Sequence, residues 1–565
     1  MTAEQHAPTL TQQERELMTH TGGELLAAQL VAEGVEKVFG VPGIQLDYAV
    51  DGLAQHADQI DFVVARHEQG AAYMADGYAR VSDKPGVCLV VPGPGLLNAG
   101  AALSTAYATS SRVVMIVGQI PSPTIDAGLG MLHEIPEQSR LIASLTKWHR
   151  LVTDAADIPA AVNEAFRQVQ SGRPRPVAIE VPPDVLKTVA TAPILPAAVG
   201  EPLAPDAGQI ADLAAQLSAA ERPVIYVGGG IRDIPAATAL QAVAEALGAP
   251  IVMSRNGRGA VSDRHPLALT RLAGGPALDA ADFVLAVGTR FMTQQGRPVV
   301  HPGRHRIAAI NAEAADLAAP RSFGLALHAD ARLALEALLP QLAPRTAAAA
   351  EGTPDPAELR ERADRLLDEV APQRDWLLAI RAGLPDDGVF VDELTQVGYP
   401  SRIAYPVYTP GSYVTPGYQG TLGYGFPTAL GVQAADPDRP VVSINGDGGF
   451  GWALQELSTA AKYRLGLVTI VFENGVFGNV ERIQQETFGR TVGVDLHNPD
   501  YTLLGEAFGV AVRTVRTPDE LTAVIRDHAG VREPLLVVVP VTDFPTPWDL
   551  IAEPSYGDAN GRGQA

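Results

Sequence analysis

Short runs of β-branched and other apolar residues alternate along this chain with longer stretches in which Ala and Leu recur at helical spacing. The runs are Phe62–Ala65, Val87–Val91, Val113–Val117, Val177–Val181, Val224–Val227, Phe283–Val287, Val441–Ile444, Leu467–Phe472 and Leu535–Val539. Continuous apolar character, rather than strict alternation, predicts strands covered on both faces, hence parallel sheets layered between helices. The expected fold class is α/β, as three doubly wound parallel-sheet domains. Two segments break the rhythm: Thr191–Gly208 is rich in Pro and Ala, and Leu342–Pro356 contains Ala347–Ala350 with Gly352, Pro354 and Pro356. Read as linkers, they leave domains over residues 19–190, 207–341 and 357–550, with a polar tail over 551–565. Met1 to Met18 has no basic region followed by an apolar one, and reads as a frayed tail rather than a signal peptide.

Length agrees with this division, since 565 residues correspond to about three or four domains. The charge narrows the partners. With 64 acidic and 42 basic side chains, the formal net charge is −22, a field that repels nucleic acid and anionic membrane surfaces. Apolar runs of about five residues fall far short of a membrane helix. The lone Cys88 can build neither an intrachain disulfide nor a Cys-rich metal site, which points to the reducing cytoplasm and to a packing role.

The most informative stretch is Val441-Val-Ser-Ile-Asn-Gly-Asp-Gly-Gly-Phe450, a strand running into a glycine turn with one carboxylate. Gly446, Gly448 and Gly449 let backbone N–H groups approach an anion, while Asp447 can bind a hard cation. Alone, Gly-Asp-Gly is also what any strand-ending turn uses. A second strand follows and ends in Glu473-Asn474-Gly475, with the 25 residues 449–473 between Gly448 and Asn474. That spacing suits one helix and a return strand, so both loops emerge at the same sheet edge and Asp447 and Asn474 can share an ion such as Mg²⁺.

Here the chain resembles the thiamine diphosphate enzymes, whose signature is Gly-Asp-Gly, some twenty-five residues, then Asn. The resemblance implies that Asp447, Asn474 and the Val476 carbonyl hold Mg²⁺ against the cofactor diphosphate, with Phe477 and Gly478 continuing that loop. It also implies that the first domain binds the aminopyrimidine and the third the diphosphate. Val63-Val-Ala-Arg-His-Glu-Gln-Gly70 looks like the segment bearing the family's activating glutamate, here Glu68; an acid at a helix start favoured by the dipole is the plainer alternative. Such a glutamate shares its proton with the pyrimidine and so activates the thiazolium carbon. Val91-Pro-Gly-Pro-Gly-Leu-Leu-Asn98 matches the glycine turn whose Gly93 and Asn98 lie beside the pyrimidine. Gly417-Tyr-Gln-Gly-Thr-Leu-Gly423 resembles the segment in which the Gly420 carbonyl meets the 4′-amino group and Leu422 wedges the cofactor into a bent form. Glu393, Thr395 and Gln396 fall where relatives contact the diphosphate.

Within the family the pattern is most similar to acetohydroxyacid (acetolactate) synthases, with a secondary likeness to benzaldehyde lyase. The implied activity is cleavage or formation of a C–C bond beside a carbonyl: decarboxylation of a 2-oxoacid with carboligation to a second carbonyl. The alternatives are an acyloin lyase acting on hydroxy-carbonyl compounds, a simple 2-oxoacid decarboxylase, a 2-hydroxyacyl-CoA or oxalyl-CoA lyase, and a catalytically silent regulatory protein of this fold. Aldehydes are expected as acceptors or products. Relatives pair the first domain of one subunit with the third of another, which implies a homodimer or homotetramer.

Three places depart from the synthases. Asn479 and Ile483 replace a Met and a Trp of the acceptor pocket. Arg290-Phe-Met-Thr-Gln294 lacks an Arg used for substrate and FAD, and Val227-Gly-Gly-Gly230 is not a dinucleotide fingerprint, so the central domain reads as structural rather than as an FAD or CoA site. Where the synthases have Phe-Gln, this chain has Leu132-His133, a histidine able to shuttle protons. The likeness to benzaldehyde lyase implies a pocket position for Gln45, where it is expected to hydrogen-bond a substrate carbonyl, and Gln119 is expected to do the same.

Overall fold

A computed structural model of the chain describes residues 17–343, 352–552 and 556. The chain forms two compact units, one ending at Glu201 and the other continuing from Pro202, with Arg80–Ser82 grouped in the second. Residues 1–16 of the expected N-terminal tail, 553–555 and 557–565 of the expected tail over 551–565, and 344–351 of the second linker lie outside the described residues.

In the first unit β1 (Leu17–Thr21) is followed by β2 (Lys37–Gly40), β3 (Asp61–Val64), β4 (Gly86–Val90), β5 (Val113–Gly118), β6 (Trp148–Leu151), β7 (Val177–Val181) and β8 (Val189–Pro193). Six of these form a parallel sheet in the order β3-β2-β4-β5-β7-β6. The central strands β4, β5 and β7 are buried from end to end, as their unbroken apolar runs predict. β1 and β8 pair antiparallel as a separate ribbon, from Leu17 opposite Pro193 to Thr21 opposite Val189. Two expectations are corrected by this ribbon. Leu17 and Met18 belong to a strand rather than to a frayed tail, and Thr191–Pro193 belong to β8 rather than to a linker, because backbone pairing outweighs the turn-like composition of both segments.

The second unit carries two more six-stranded parallel sheets. The central one comprises β9 (Pro223–Val227), β10 (Ile251–Met253), β11 (Ala268–Thr270), β12 (Phe283–Val287), β13 (Arg306–Asn311) and β14 (Leu325–His328), in the order β11-β10-β9-β12-β13-β14. The last comprises β15 (Val389–Val391), β16 (Tyr413–Val414), β17 (Val441–Gly446), β18 (Val468–Glu473), β19 (Ala511–Thr514) and β20 (Leu535–Pro540), in the order β16-β15-β17-β18-β20-β19. All nine apolar runs coincide with strands of these sheets, with Ala65, Val91 and Leu467 each one residue outside.

In each sheet the chain starts near the middle, steps to one edge, and then crosses back to build the other side. The strand order therefore reverses between β2 and β4, between β9 and β12, and between β15 and β17. Loops leaving the carboxyl ends of such strand pairs diverge to opposite faces and open a crevice, the usual ligand position in open α/β sheets. The central sheet fills its crevice with its own backbone. Gly228 and Gly230 donate N–H groups to the Val287 and Gly288 carbonyls, and a Cβ on Gly230 would come within 2.6 Å of the Gly288 Cα.

Candidate active site

The crevice of the first sheet gathers the residues expected at the pyrimidine end. Glu68 opens the helix Glu68–Val81 directly after β3 and is half-buried. Asn98, one turn into the helix Pro94–Thr109, donates its amide to Glu68 Oε2 at 2.9 Å. Gly93 begins that helix with φ +57°, a left-handed conformation that disfavours any side chain. A Cβ there would also sit 2.3 Å from the His133 carbonyl oxygen.

Behind this loop lies a polar network of which sequence reasoning singled out Gln119 but not Gln138, Ser139 or Glu180. Gln138 accepts the Gly93 N–H through Oε1 at 2.9 Å and donates Nε2 to the Gly118 carbonyl and to Glu180 Oε2. Glu180, near the carboxyl end of β7 and fully buried, also accepts from Gln119 Nε2 at 3.2 Å and from Ser139 at 2.6 Å. Gln119 is itself buried, with its Oε1 taken by the Ile120 N–H, so its amide is committed within the fold. Gln45 is buried and bridges to the opposite loop, reaching both Leu132 and His133.

The residues expected at the diphosphate end lie in the last sheet. β17 delivers Asp447 to the sheet edge, where a short helix, Asp447–Gly451, begins. Asp447 is nearly fully buried. Its Oδ2 accepts the backbone N–H groups of Asn474 at 3.1 Å and Gly475 at 2.7 Å and the side chain of Asn498 at 2.8 Å, while Oδ1 accepts from Gly448 at 2.9 Å. The strand–helix–strand spacing has thus brought Asp447 and Asn474 together. Asn498 also reaches Glu473; it comes from a loop with no motif around it, and no sequence signal marks it. Val476 bridges to Asp495. The Phe477 ring lies against Gly448, where a Cβ would meet it at 2.5 Å.

The other candidates surround this loop. Gln396 accepts the Phe544 N–H through Oε1, which turns its Nε2 toward Gly478. Thr395 is buried beside Gly446 and accepts the Gly398 N–H. Glu393 is enclosed beneath the loops rather than exposed among them: its Oε2 accepts the Gly425 N–H at 2.8 Å, and its Oε1 lies where a Cβ of Gly449 would be, 1.8 Å away. Burial pushes the Glu393 carboxyl up to about 8, with the neighbouring Asp392 adding to this and N–H groups of Gly425 and Gly423 opposing it. Gly420 turns the 417–423 loop over Leu394, and Leu422 is partly exposed on it. Arg255, in the turn that follows β10, anchors the same loop, donating to the Gly417 carbonyl at 3.0 Å and to Asp392 at 3.3 Å.

A diphosphate and a divalent cation fit these residues. Asn474 Nδ2 is buried without a hydrogen-bond partner among the described residues, an arrangement that costs stability until a ligand acceptor arrives. A Cβ on Gly478 would stand 3.3 Å from both this nitrogen and Gln396 Nε2, so the glycine keeps the space between two donors open. Among the described residues no three His, Cys, Asp or Glu side chains are placed to hold a metal ion. A cation here would therefore use one carboxylate, an amide oxygen and a backbone carbonyl with the phosphates, the oxygen set that suits Mg²⁺. Among those residues no helix is long and apolar enough to cross a membrane.

Three family models match the chain in order: the N-terminal TPP binding domain of thiamine pyrophosphate enzymes over residues 20–141, their central domain over 210–338 and their C-terminal TPP binding domain over 396–539. The chain is 35% identical over 533 residues to the probable 2-ketoarginine decarboxylase of Pseudomonas aeruginosa, covering 91% of this chain and 92% of that protein. It is 32% identical over 482 residues to the acetolactate synthase isozyme 1 large subunit of Escherichia coli, covering 83% and 84%. A probable acetolactate synthase large subunit of Methanococcus aeolicus is 30% identical over 555 residues, covering 91% of each.

Proposed function

Because this chain belongs to the thiamine pyrophosphate enzyme family, among its decarboxylases and carboligases, we propose that it decarboxylates a 2-oxoacid with thiamine diphosphate and Mg²⁺ and passes the remaining fragment to a second carbonyl. This is supported by the Asp447–Asn474 arrangement: a buried carboxylate bound to the next loop's backbone, beside an amide nitrogen with no hydrogen-bond partner among the described residues. When bound, thiamine diphosphate supplies a nucleophilic carbon and a sink for the electron pair left by CO₂. Asp447, Asn474 and the Val476 carbonyl would hold the metal, with Gln396 and Gly478 at the phosphates. Glu68 would hold a proton against the aminopyrimidine, and Asn98, donating to its Oε2, keeps that carboxyl in one orientation. Relatives supply the two halves of such a site from two subunits, so at least a homodimer is expected.

A second reading, decarboxylation alone of a 2-oxoacid with a basic side chain, is favoured by one cavity. It measures about 480 Å³ and lies between the helix Gly478–Phe488 and residues 543–548, with Gln396 and Gly478 among its lining. Its walls include Glu481, Glu486 and Asp543 against a single cation, Arg482, which Glu486 already holds at 2.6 Å. This acidic balance suits a cationic side chain such as that of 2-ketoarginine, the compound in the name of the Pseudomonas relative. Incubating the cofactor-loaded protein with 2-oxoacids of apolar, acidic and basic side chain, with and without an aldehyde, and following CO₂ and acyloin separately, tests both. CO₂ release with acyloin supports the first reading, CO₂ and aldehyde from basic substrates alone support the second, and no CO₂ from any substrate refutes both.

A further inference from the structure

His133 occupies a strained and well-defined position. Its φ of +66° is in the left-handed region, which costs a non-glycine residue roughly 1–2 kcal/mol, so the surrounding contacts must hold it there. Two are visible. Its carbonyl lies against Gly93, and its ring meets Gln45 from the loop after β2, Nδ1 to Oε1 at 3.1 Å.

The protonation of that ring follows from the third member of the chain. Gln45 Nε2 donates to the Leu132 carbonyl at 3.1 Å. A carbonyl only accepts, so the amide cannot be turned over without setting two oxygens against each other. Gln45 Oε1 is therefore the atom facing the imidazole, and it too only accepts. The hydrogen must sit on Nδ1. In a neutral imidazole that leaves Nε2 with a bare lone pair.

We infer that Gln45 is a positioning residue that locks His133 in its Nδ1–H tautomer, making Nε2 the proton-transfer atom of this active site. The geometry ties it to the pyrimidine end: Gly93, against which the His133 carbonyl packs, begins the helix whose Asn98 holds Glu68. The inference rests on the 2-oxoacid reading for the reaction it serves, though not for the tautomer. Converting a 2-oxoacid anion to an aldehyde and CO₂, or with a second carbonyl to an acyloin and CO₂, consumes one proton. The imidazolium form delivers it as the N–H bond breaks: to carbon, where a C–H bond forms with the electron pair left by CO₂, or, where that pair forms a C–C bond instead, to the oxygen of the second carbonyl as its C=O π bond opens. Nε2 then takes its next proton from water, which the half-exposed position of His133 allows. Gln45 consequently acts through His133 rather than on the substrate carbonyl.

The test uses the full-length protein labelled with ¹⁵N-histidine, with the His133→Asn spectrum assigning the resonance. In the wild type at a pH where imidazole is neutral, His133 should show hydrogen on Nδ1 and a bare Nε2; in Gln45→Leu the two tautomers should mix. Hydrogen on Nε2, or a spectrum unmoved by Gln45→Leu, overturns the inference. The second arm is turnover of a 2-oxoacid. His133→Asn puts an amide nitrogen where Nδ1 was and keeps the bond to Gln45, with no atom at Nε2, so kcat should fall by about 100-fold while the thiamine diphosphate thermal shift is kept. A fall of less than about 3-fold overturns the proton role. A wild type that releases no CO₂ refutes the 2-oxoacid reading and removes the step that Nε2 would serve, whereas the tautomer spectrum is read without substrate.

Discussion

The enclosed Glu393 makes the stability of the second unit depend on pH in a direction opposite to that of most carboxylates. The group titrates near 4.5 when free and at about 8 in the folded chain, chiefly because burial disfavours its charge. Between those values the folded protein keeps a proton that the unfolded chain has released, so stability is full below 4.5, falls as pH rises and reaches its lower limit above 8. At about 1.4 kcal/mol per unit, the difference of 8 − 4.5 = 3.5 units is worth about 5 kcal/mol, of which about 3 kcal/mol is lost by pH 7. Glu393→Gln abolishes the titration and keeps an acceptor for the Gly425 N–H, at the loss of one backbone hydrogen bond, about 1 kcal/mol. The variant should therefore be about 1 kcal/mol less stable than the wild type at pH 4.5 and about 2 kcal/mol more stable at pH 7. Urea unfolding followed by tryptophan fluorescence reads this if Trp148→Phe is made in both proteins, because Trp376, Trp452 and Trp548 all belong to the second unit. The buried Asp392, also raised by burial, is common to both and cancels in the difference. A stability difference independent of pH, or one that shrinks from pH 4.5 to 7 without changing sign, would refute the reasoning.

Three further outcomes are expected. Glu68→Gln keeps a neutral group of the same shape and should lower turnover by at least about 100-fold while leaving the cofactor-dependent rise in melting temperature intact; equal turnover in the two proteins contradicts its assigned role. Asp447→Ala strands the N–H groups of Asn474 and Gly475 and the Asn498 amide, so it should both destabilise the apoprotein by about 2 kcal/mol and abolish the Mg²⁺-dependent thermal shift with thiamine diphosphate, which chelation with EDTA should reproduce in the wild type. Gly93→Ala places a Cβ 2.3 Å from the His133 carbonyl at a positive φ, and calorimetry should show a loss of at least about 2 kcal/mol.

What the sequence made legible was whatever physics writes locally. The nine largely apolar runs marked strands because a strand buried on both faces carries few polar positions to hide it. β6 escaped because it is half-buried with His149 and Arg150 in it, and β16 because it has two residues. The Asp447–Asn474 pairing was legible because one crossover fixes its spacing. Glu180 left a signal that was passed over, a carboxylate inside the apolar run Val177–Val181, which burial demands be matched by donors. Those donors, Gln119, Gln138 and Ser139, lie 41 to 61 residues away in the chain, and no periodicity links such distances. Asn498 and Phe544 act through loops whose course depends on tertiary packing alone.

The β1–β8 ribbon bears on how the first unit can be handled as a module. A cut after residue 190 would leave only two of the five residues of β8, Val189 and Ala190, to pair with β1, and would expose the unpaired half of β1 as a sheet edge ready to recruit another chain. Exchange of this module among relatives should therefore join the chains after Glu201, where the first unit ends, and should carry Leu17–Thr21 with it. Hybrids joined at residue 190 should aggregate where those joined at 201 do not.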